Sequence, residues 1–141
     1  MFIKFSLGAQ RDPIVVQTRI FKNQNKFPNF SNELVELDIP DPQQCMRDGE
    51  LPMTVQVFYQ KRFGTEILGE TNVSTLPYFE GGELDIELEL KWEYPATGEK
   101  EKAGFLDLKV EFQPVRQGVL VITAYNGRQL KNMDRFGQQD P

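Results

Sequence analysis

Apolar and polar residues alternate along most of this chain with a period of two, the repeat of a β-strand, and no segment sustains the 3.6-residue repeat of a long amphipathic helix. The clearest run is residues 83–94. Leu84, Ile86, Leu88, Leu90, Trp92 and Tyr94 fall on one face, and Glu83, Asp85, Glu87, Glu89, Lys91 and Glu93 on the other. A strand that covers a core on one side and meets water on the other needs this pattern. Residues 105–115 repeat it, with Leu106, Leu108, Val110 and Phe112 opposed to Asp107, Lys109 and Glu111. Residues 53–60 set Met53, Val55, Val57 and Tyr59 against Thr54, Gln56, Phe58 and Gln60. Residues 119–125 are apolar on both faces, which predicts a strand in the middle of a sheet. Weaker alternation marks four more strands, over 2–7, 14–22, 33–39 and 66–76.

Turn-forming residues separate these eight segments: Arg11-Asp12-Pro13, Phe27-Pro28-Asn29, Asp41-Pro42, Asp48-Gly49, Gly81-Gly82 and Ala96-Thr97-Gly98. Residues 41–50 leave room for one short helical turn. Eight short strands at this spacing predict an all-β, antiparallel sandwich or barrel. The 141 residues form one domain, with no internal repeat and no low-complexity linker. Residues 114–118 read as a tight connection between two strands.

Charge and composition narrow the function. The net charge of −5 opposes nonspecific nucleic-acid binding, which needs Lys and Arg against phosphates. No histidine is present, so the usual general base near neutral pH and the commonest metal ligand are both missing. The serines are Ser6, Ser31 and Ser74, and none lies in a Gly-x-Ser-x-Gly turn. Cys45 sits in a polar stretch with no histidine to activate it. A single cysteine forms no internal disulfide, and no apolar run approaches a membrane span; both point to a cytoplasmic protein. Asn29-Phe30-Ser31 and Asn72-Val73-Ser74 match the N-glycosylation pattern, which is short enough to arise by chance. A non-catalytic role is the expectation.

The last 24 residues, GVLVITAYNGRQLKNMDRFGQQDP, resemble the opening of a C2 domain: a first strand, a loop with two aspartates, then Asp-Pro. In that family the Asp-Pro leads into a strand of the kind found here at the other end of the chain, Phe2-Ile3-Lys4-Phe5-Ser6-Leu7-Gly8. Thr18-Arg19-Ile20-Phe21-Lys22-Asn23 resembles the family's basic third strand. Phe27-Pro28-Asn29-Phe30-Ser31-Asn32-Glu33 resembles its Asn-Pro-x-Trp-Asn-Glu motif, with Phe30 in the tryptophan position. Residues 51–57 and Glu66-Ile67-Leu68-Gly69 resemble the strands entering and leaving the third top loop, and residues 105–114 the final strand. The resemblance thus covers nearly the whole chain, with the family's first strand displaced to the C-terminus. It implies an eight-stranded antiparallel C2-like β-sandwich of Greek-key connectivity. The displaced strand is open to three explanations: a circular permutant, a segment of a tandem array, or strand exchange with a neighbouring chain. The family itself has two topologies related by such a permutation, and pairing of residues 119–125 within their own domain is the expectation.

The resemblance also implies where calcium would sit. Calcium-binding members cage the ion with about five carboxylates from two loops, since Ca²⁺ takes roughly six to eight oxygens. Asp134 and Asp140 match the first loop. In the third loop the family's acidic positions fall here on Phe58, Gln60 and Glu66, so two of three acids are replaced, and Lys61 and Arg62 lie beside them. Asp134, Asp140 and Glu66 therefore make a degenerate calcium site at most, and no cofactor is expected.

Two functions follow as expectations. The first is a calcium-independent interaction module that contacts another protein, or a neighbouring copy of itself, or scaffolds a larger assembly. The second is a peripheral membrane module. The first 32 residues carry five basic residues against one acid, and Arg19, Lys22 and Lys26 lie in or after the strand resembling the family's basic third strand. Phe58 and Phe63, flanking Lys61 and Arg62, would add aromatic and basic anchors for anionic phospholipid or phosphoinositide. Neither a nucleic acid nor a small-molecule substrate is expected as a partner.

Overall fold

A computed structural model describes residues 1–8, 14–22, 27–39, 47, 51–79, 82–113 and 118–130. It contains the eight expected strands: β1 Phe2–Leu7, β2 Ile14–Gln17, β3 Asn29–Asp38, β4 Pro52–Gln60, β5 Thr65–Ser74, β6 Glu83–Glu93, β7 Lys100–Gln113 and β8 Val119–Arg128. A short 3₁₀ turn, Leu76–Phe79, links β5 to β6. The expected helical turn over 41–50, the Cys45 thiol and residues 114–117 lie outside the described residues, apart from Arg47.

All neighbouring strands are antiparallel, in the order β2-β1-β4-β5-β6-β7-β8-β3. Where the sequence implied the two packed sheets of a C2-like sandwich, the hydrogen-bonded order runs through all eight strands as one nearly closed, barrel-like sheet. The join between its halves is thin. β5 meets β6 at the Glu70–Lys91 pair, whereas β6 and β7 are laddered from Glu83–Glu111 to Glu93–Lys100. Gly69 permits the close approach at this join. A Cβ added there would lie 3.0 Å from the Cβ atoms of both Leu90 and Ala103.

Alternation decides what the barrel encloses. Ile3, Phe5 and Leu7 of β1, Val55 and Val57 of β4, and Leu106, Leu108 and Val110 of β7 are buried. Burying a side chain of this size contributes roughly 1.5–3 kcal/mol, so these stripes supply the main driving force for closure. β8 lies between β7 and β3 of its own chain, the central position its two-sided apolar pattern predicts. Its Val121 and Thr123, on the opposite face from Leu120 and Ile122, are buried as well.

The strand expected over 14–22 is shorter than its pattern. β2 ends at Gln17 because the Thr18 hydroxyl accepts the Ile3 N–H (3.0 Å), replacing the next ladder bond with a side-chain bond. The chain stays beside β1 as an irregular tail. Thr18 N–H donates to Ile3 O (2.9 Å), and Met1 and Phe21 exchange bonds of 2.7 and 2.8 Å. The gap between the edge strands is bridged here. Phe21 packs edge-on against the fully buried Phe30 of β3, with centroids 5.4 Å apart, and Arg19 pairs with Glu33 at 3.4 Å. Ser31 and Asn32 adopt positive φ (56° and 54°), the bulge that shifts register between Asn29 and Glu33.

Registers place the loops at two ends. Met1, the β2 tail, Phe27-Pro28, the β4–β5 hairpin, the β6–β7 turn and the end of β8 share one end. It is called the hairpin end below.

Candidate functional site at the hairpin end

The β4–β5 hairpin projects Lys61, Arg62, Phe63 and Gly64 beyond the sheet. Its closure is local: Lys61 N–H donates to Gly64 O (3.0 Å), and the Gln60 amide donates to Lys61 O and Gly64 O. Gly64 sits at φ 87°, which a side chain would strain. The tip therefore holds Phe63 in solvent, 84% exposed, with the Arg62 guanidinium over its ring at 5.7 Å. Lys61 folds back, its ammonium donating to Glu66 Oε1 at 3.0 Å.

Beside the hairpin lies a cleft of about 350 Å³ lined by Met1, Ile20, Phe21, Lys22, Tyr59, Gln60, Lys61 and Arg62. Lys22, Lys61 and Arg62 are among its walls, and no Asp or Glu lines it among the described residues. Exposed apolar groups surround this end. Of the six large hydrophobic residues most open to solvent, Ile20, Phe27, Phe63 and Tyr94 are at the hairpin end, and only Val15 and Leu34 are elsewhere among the described residues.

The residues singled out from the sequence are thus partly gathered and partly separated. Lys22, Lys61 and Arg62 come together at the cleft, with Phe63 at the adjacent tip. Arg19 serves the closure of the sheet, bound to Glu33 and stacked over Phe21 at 4.5 Å. Phe58 is not at the tip. It stacks on Phe2 on the outer face, centroids 5.3 Å apart, with the Lys4 ammonium 5.8 Å from its ring. That position follows from the alternation of β4, whose register with β1 runs unbroken from Phe2–Phe58 to Leu7–Met53. Lys26, Asp134 and Asp140 lie outside the described residues.

Of the degenerate calcium site only Glu66 is described, and its Oε1 forms an ion pair with the Lys61 ammonium at 3.0 Å. Among the described residues no group of three or more His, Cys, Asp or Glu side chains could hold a metal ion. No helix among them is long and apolar enough to cross a membrane.

Sequence reading missed Ile20, Phe21, Tyr59 and Gln60 as walls of the cleft. Their alternation signals a strand, and only the early end of β2 turns the tail toward the hairpin. It also missed the partners of the acidic outer face. Four of the five outward acids of β6 are engaged: Glu83 by Lys109 (3.5 Å), Asp85 by the Tyr125 hydroxyl (3.3 Å), Glu87 by Arg128, and Glu89 by Lys91 and Lys102 (3.6 and 3.8 Å). Glu87 and Asp107 are direct cross-strand partners, a repulsive pairing. Arg128 reaches across from β8 to resolve it, donating to Asp107 through Nε (2.8 Å) and Nη2 (3.1 Å) and also to Glu87. These two carboxylates hold the Arg128 pKa above its ordinary value. The Asn126 amide adds a bond to Asp107 at 2.8 Å.

Comparison with known proteins finds no matching family model, no matching curated protein and no matching solved structure.

Proposed function

We propose that this protein is a non-catalytic, C2-like interaction module that attaches to an anionic lipid surface through its hairpin end, without calcium. The observation that carries this reading is the hairpin tip: Phe63 is 84% exposed beside Arg62, with Lys61 and Lys22 flanking the neighbouring cleft. An aromatic ring flanked by cations suits the interface, where the ring enters the headgroup layer and the charges meet acidic lipid. Each such cation contributes only about 1 kcal/mol near an anionic membrane, so attachment is transient and reversed by salt. The strand order, with residues 119–128 between β7 and β3, is compatible with a C2-like sandwich whose first strand is supplied by the C-terminal segment. Attachment through the acidic sheet face to another protein has less support, because four of the five outward acids of β6 are engaged within the fold.

Sedimentation with phosphatidylserine vesicles in a calcium chelator tests the reading. The native protein is expected to pellet with vesicles at low salt, and Arg62→Glu combined with Phe63→Ala is expected to remain in solution. Absence of pelleting would leave a protein-docking module as the working function. Pelleting only with calcium would remove the calcium-independent part.

A further inference from the structure

A second hollow lies at the thin join, where β5 and β6 part on either side of the Glu70–Lys91 pair. Its volume is about 370 Å³, at the small end of the range for small-molecule sites. Trp92 and Ile67 form its apolar wall. The Trp92 ring is held in place, packed against the core and edge-on to Tyr94 with centroids 4.5 Å apart. The polar groups around it are oriented from outside the pocket. Glu70 Oε1 accepts the Gln56 amide (3.0 Å), which leaves Oε2 as an acceptor. Asn72 Oδ1 accepts the Thr54 hydroxyl (2.7 Å), which leaves the amide NH₂ as a donor. Glu93 is the fifth outward acid of β6, and neither it nor its cross-strand partner Lys100 is in an ion pair among the described residues. Charges alternate here: Glu70 stands opposite Lys91, and Glu93 opposite Lys100. The walls therefore carry two acids against two bases, with no positive or negative pole to select an ion.

We infer that this pocket binds a neutral sugar ring as a ligand, through Trp92, Glu70, Asn72, Glu93 and Lys100. A pyranose has an apolar C–H face that suits an aromatic wall, and a rim of hydroxyls that each donate and accept. The carboxylates of Glu70 and Glu93 accept hydroxyl protons, while the Asn72 amide and the Lys100 ammonium donate to hydroxyl oxygens. Bonds of this kind with a charged partner are stronger than neutral ones. The neutral balance of the walls separates this ligand from a phosphate, an amine or a metal ion. The inference goes beyond attachment through the hairpin tip and uses none of Lys22, Lys61, Arg62 or Phe63.

Trp92 is the single tryptophan of the chain, so its fluorescence reports directly on this wall. Fluorescence and calorimetric titrations with glucose, galactose, mannose, maltose and cellobiose test the inference, with glycerol as a polyol that has no ring. Saturable binding of at least one sugar is expected, and none of glycerol. Asn72→Ala with Glu93→Ala is expected to weaken it about tenfold, the loss of one bond to a charged group. Arg62→Glu with Phe63→Ala is expected to leave it unchanged. A thermal melt of each variant confirms folding, and the two single changes at Asn72 and Glu93 stand in should the pair unfold. Preference for a disaccharide would uphold the site and assign it the end of a longer glycan; equal binding of a monosaccharide would uphold it for a single ring. No saturation by any of the five sugars in either titration would overturn it. Binding that the Asn72 and Glu93 changes leave intact, or that glycerol reproduces, would also overturn it.

Discussion

Two charged regions of this molecule behave in opposite ways. On the outer face of β6, β7 and β8 the acids of one strand meet bases from its neighbours, so a row that looks strongly acidic in sequence is largely neutralised within the fold. At the hairpin end Lys22, Lys61 and Arg62 converge on one cleft, and Lys61 and Glu66 form the ion pair between hairpin and strand. The density of charge along the sequence is therefore a poor guide to a working surface. The ladder register decides whether opposite charges meet, and a hairpin tip, which has no neighbouring strand, presents its charges and aromatic ring outward.

The strongest way to break the contrast is to disturb the register that brings Arg128 to Asp107. Gly104 lies at φ 105°, and a Cβ there would come within 2.7 Å of the carbonyl oxygens of Arg128 and Gln129. Gly104→Ala combines backbone strain with a clash against main chain that cannot swing away. A loss of about 3 kcal/mol is expected in urea unfolding. A loss below about 1 kcal/mol would mean that the β7–β8 junction yields easily.

Gly69→Ala acts at the thin join between β5 and β6. Its Cβ would lie 3.0 Å from the Cβ atoms of Leu90 and Ala103, which would have to give by a few tenths of an ångström. About 1–2 kcal/mol of destabilisation is expected, read from the same unfolding curves. A neutral result would show that the two halves of the barrel separate readily at this join.

Arg128→Ala sharpens the comparison more directly. It leaves Glu87 opposite Asp107 with no cation between them. A lower Tm is expected, by less than either glycine change produces, and high salt should shrink the difference by screening the two carboxylates. A Tm deficit that salt leaves unchanged would assign Arg128 a packing role over Phe105, whose ring centroid lies 5.0 Å from the guanidinium.

The smallest stability effect belongs at the other region. Phe63→Ala and Arg62→Ala are expected to stay within about 0.5 kcal/mol of the native protein, since neither side chain bears on the core. Their effect should appear only in vesicle binding. A clear stability loss from either would mean that the tip is a packing element and would weaken the proposed attachment surface.

The sequence by itself determined the strands, because a two-residue repeat of apolar side chains forms a buried stripe whatever its neighbours are. The interior position of β8 was legible for the same reason, as Val119, Leu120, Val121 and Ile122 leave no face suited to water. Lys61, Arg62 and Phe63 were legible as a charged aromatic run at a loop. Tertiary structure alone decided that Lys22 joins that run, that Arg19 does not, and that Phe58 lies flat on Phe2. It also decided that the strands close in one continuous order and that Glu83, Glu87 and Glu89 of β6 find their bases. Each of these depends on a register shift, a strand ending at Thr18 or a pairing between segments far apart in the chain. A local repeat records which face a residue takes; it carries no record of which distant strand lies beside it, and that neighbour sets the charge and contacts of a site.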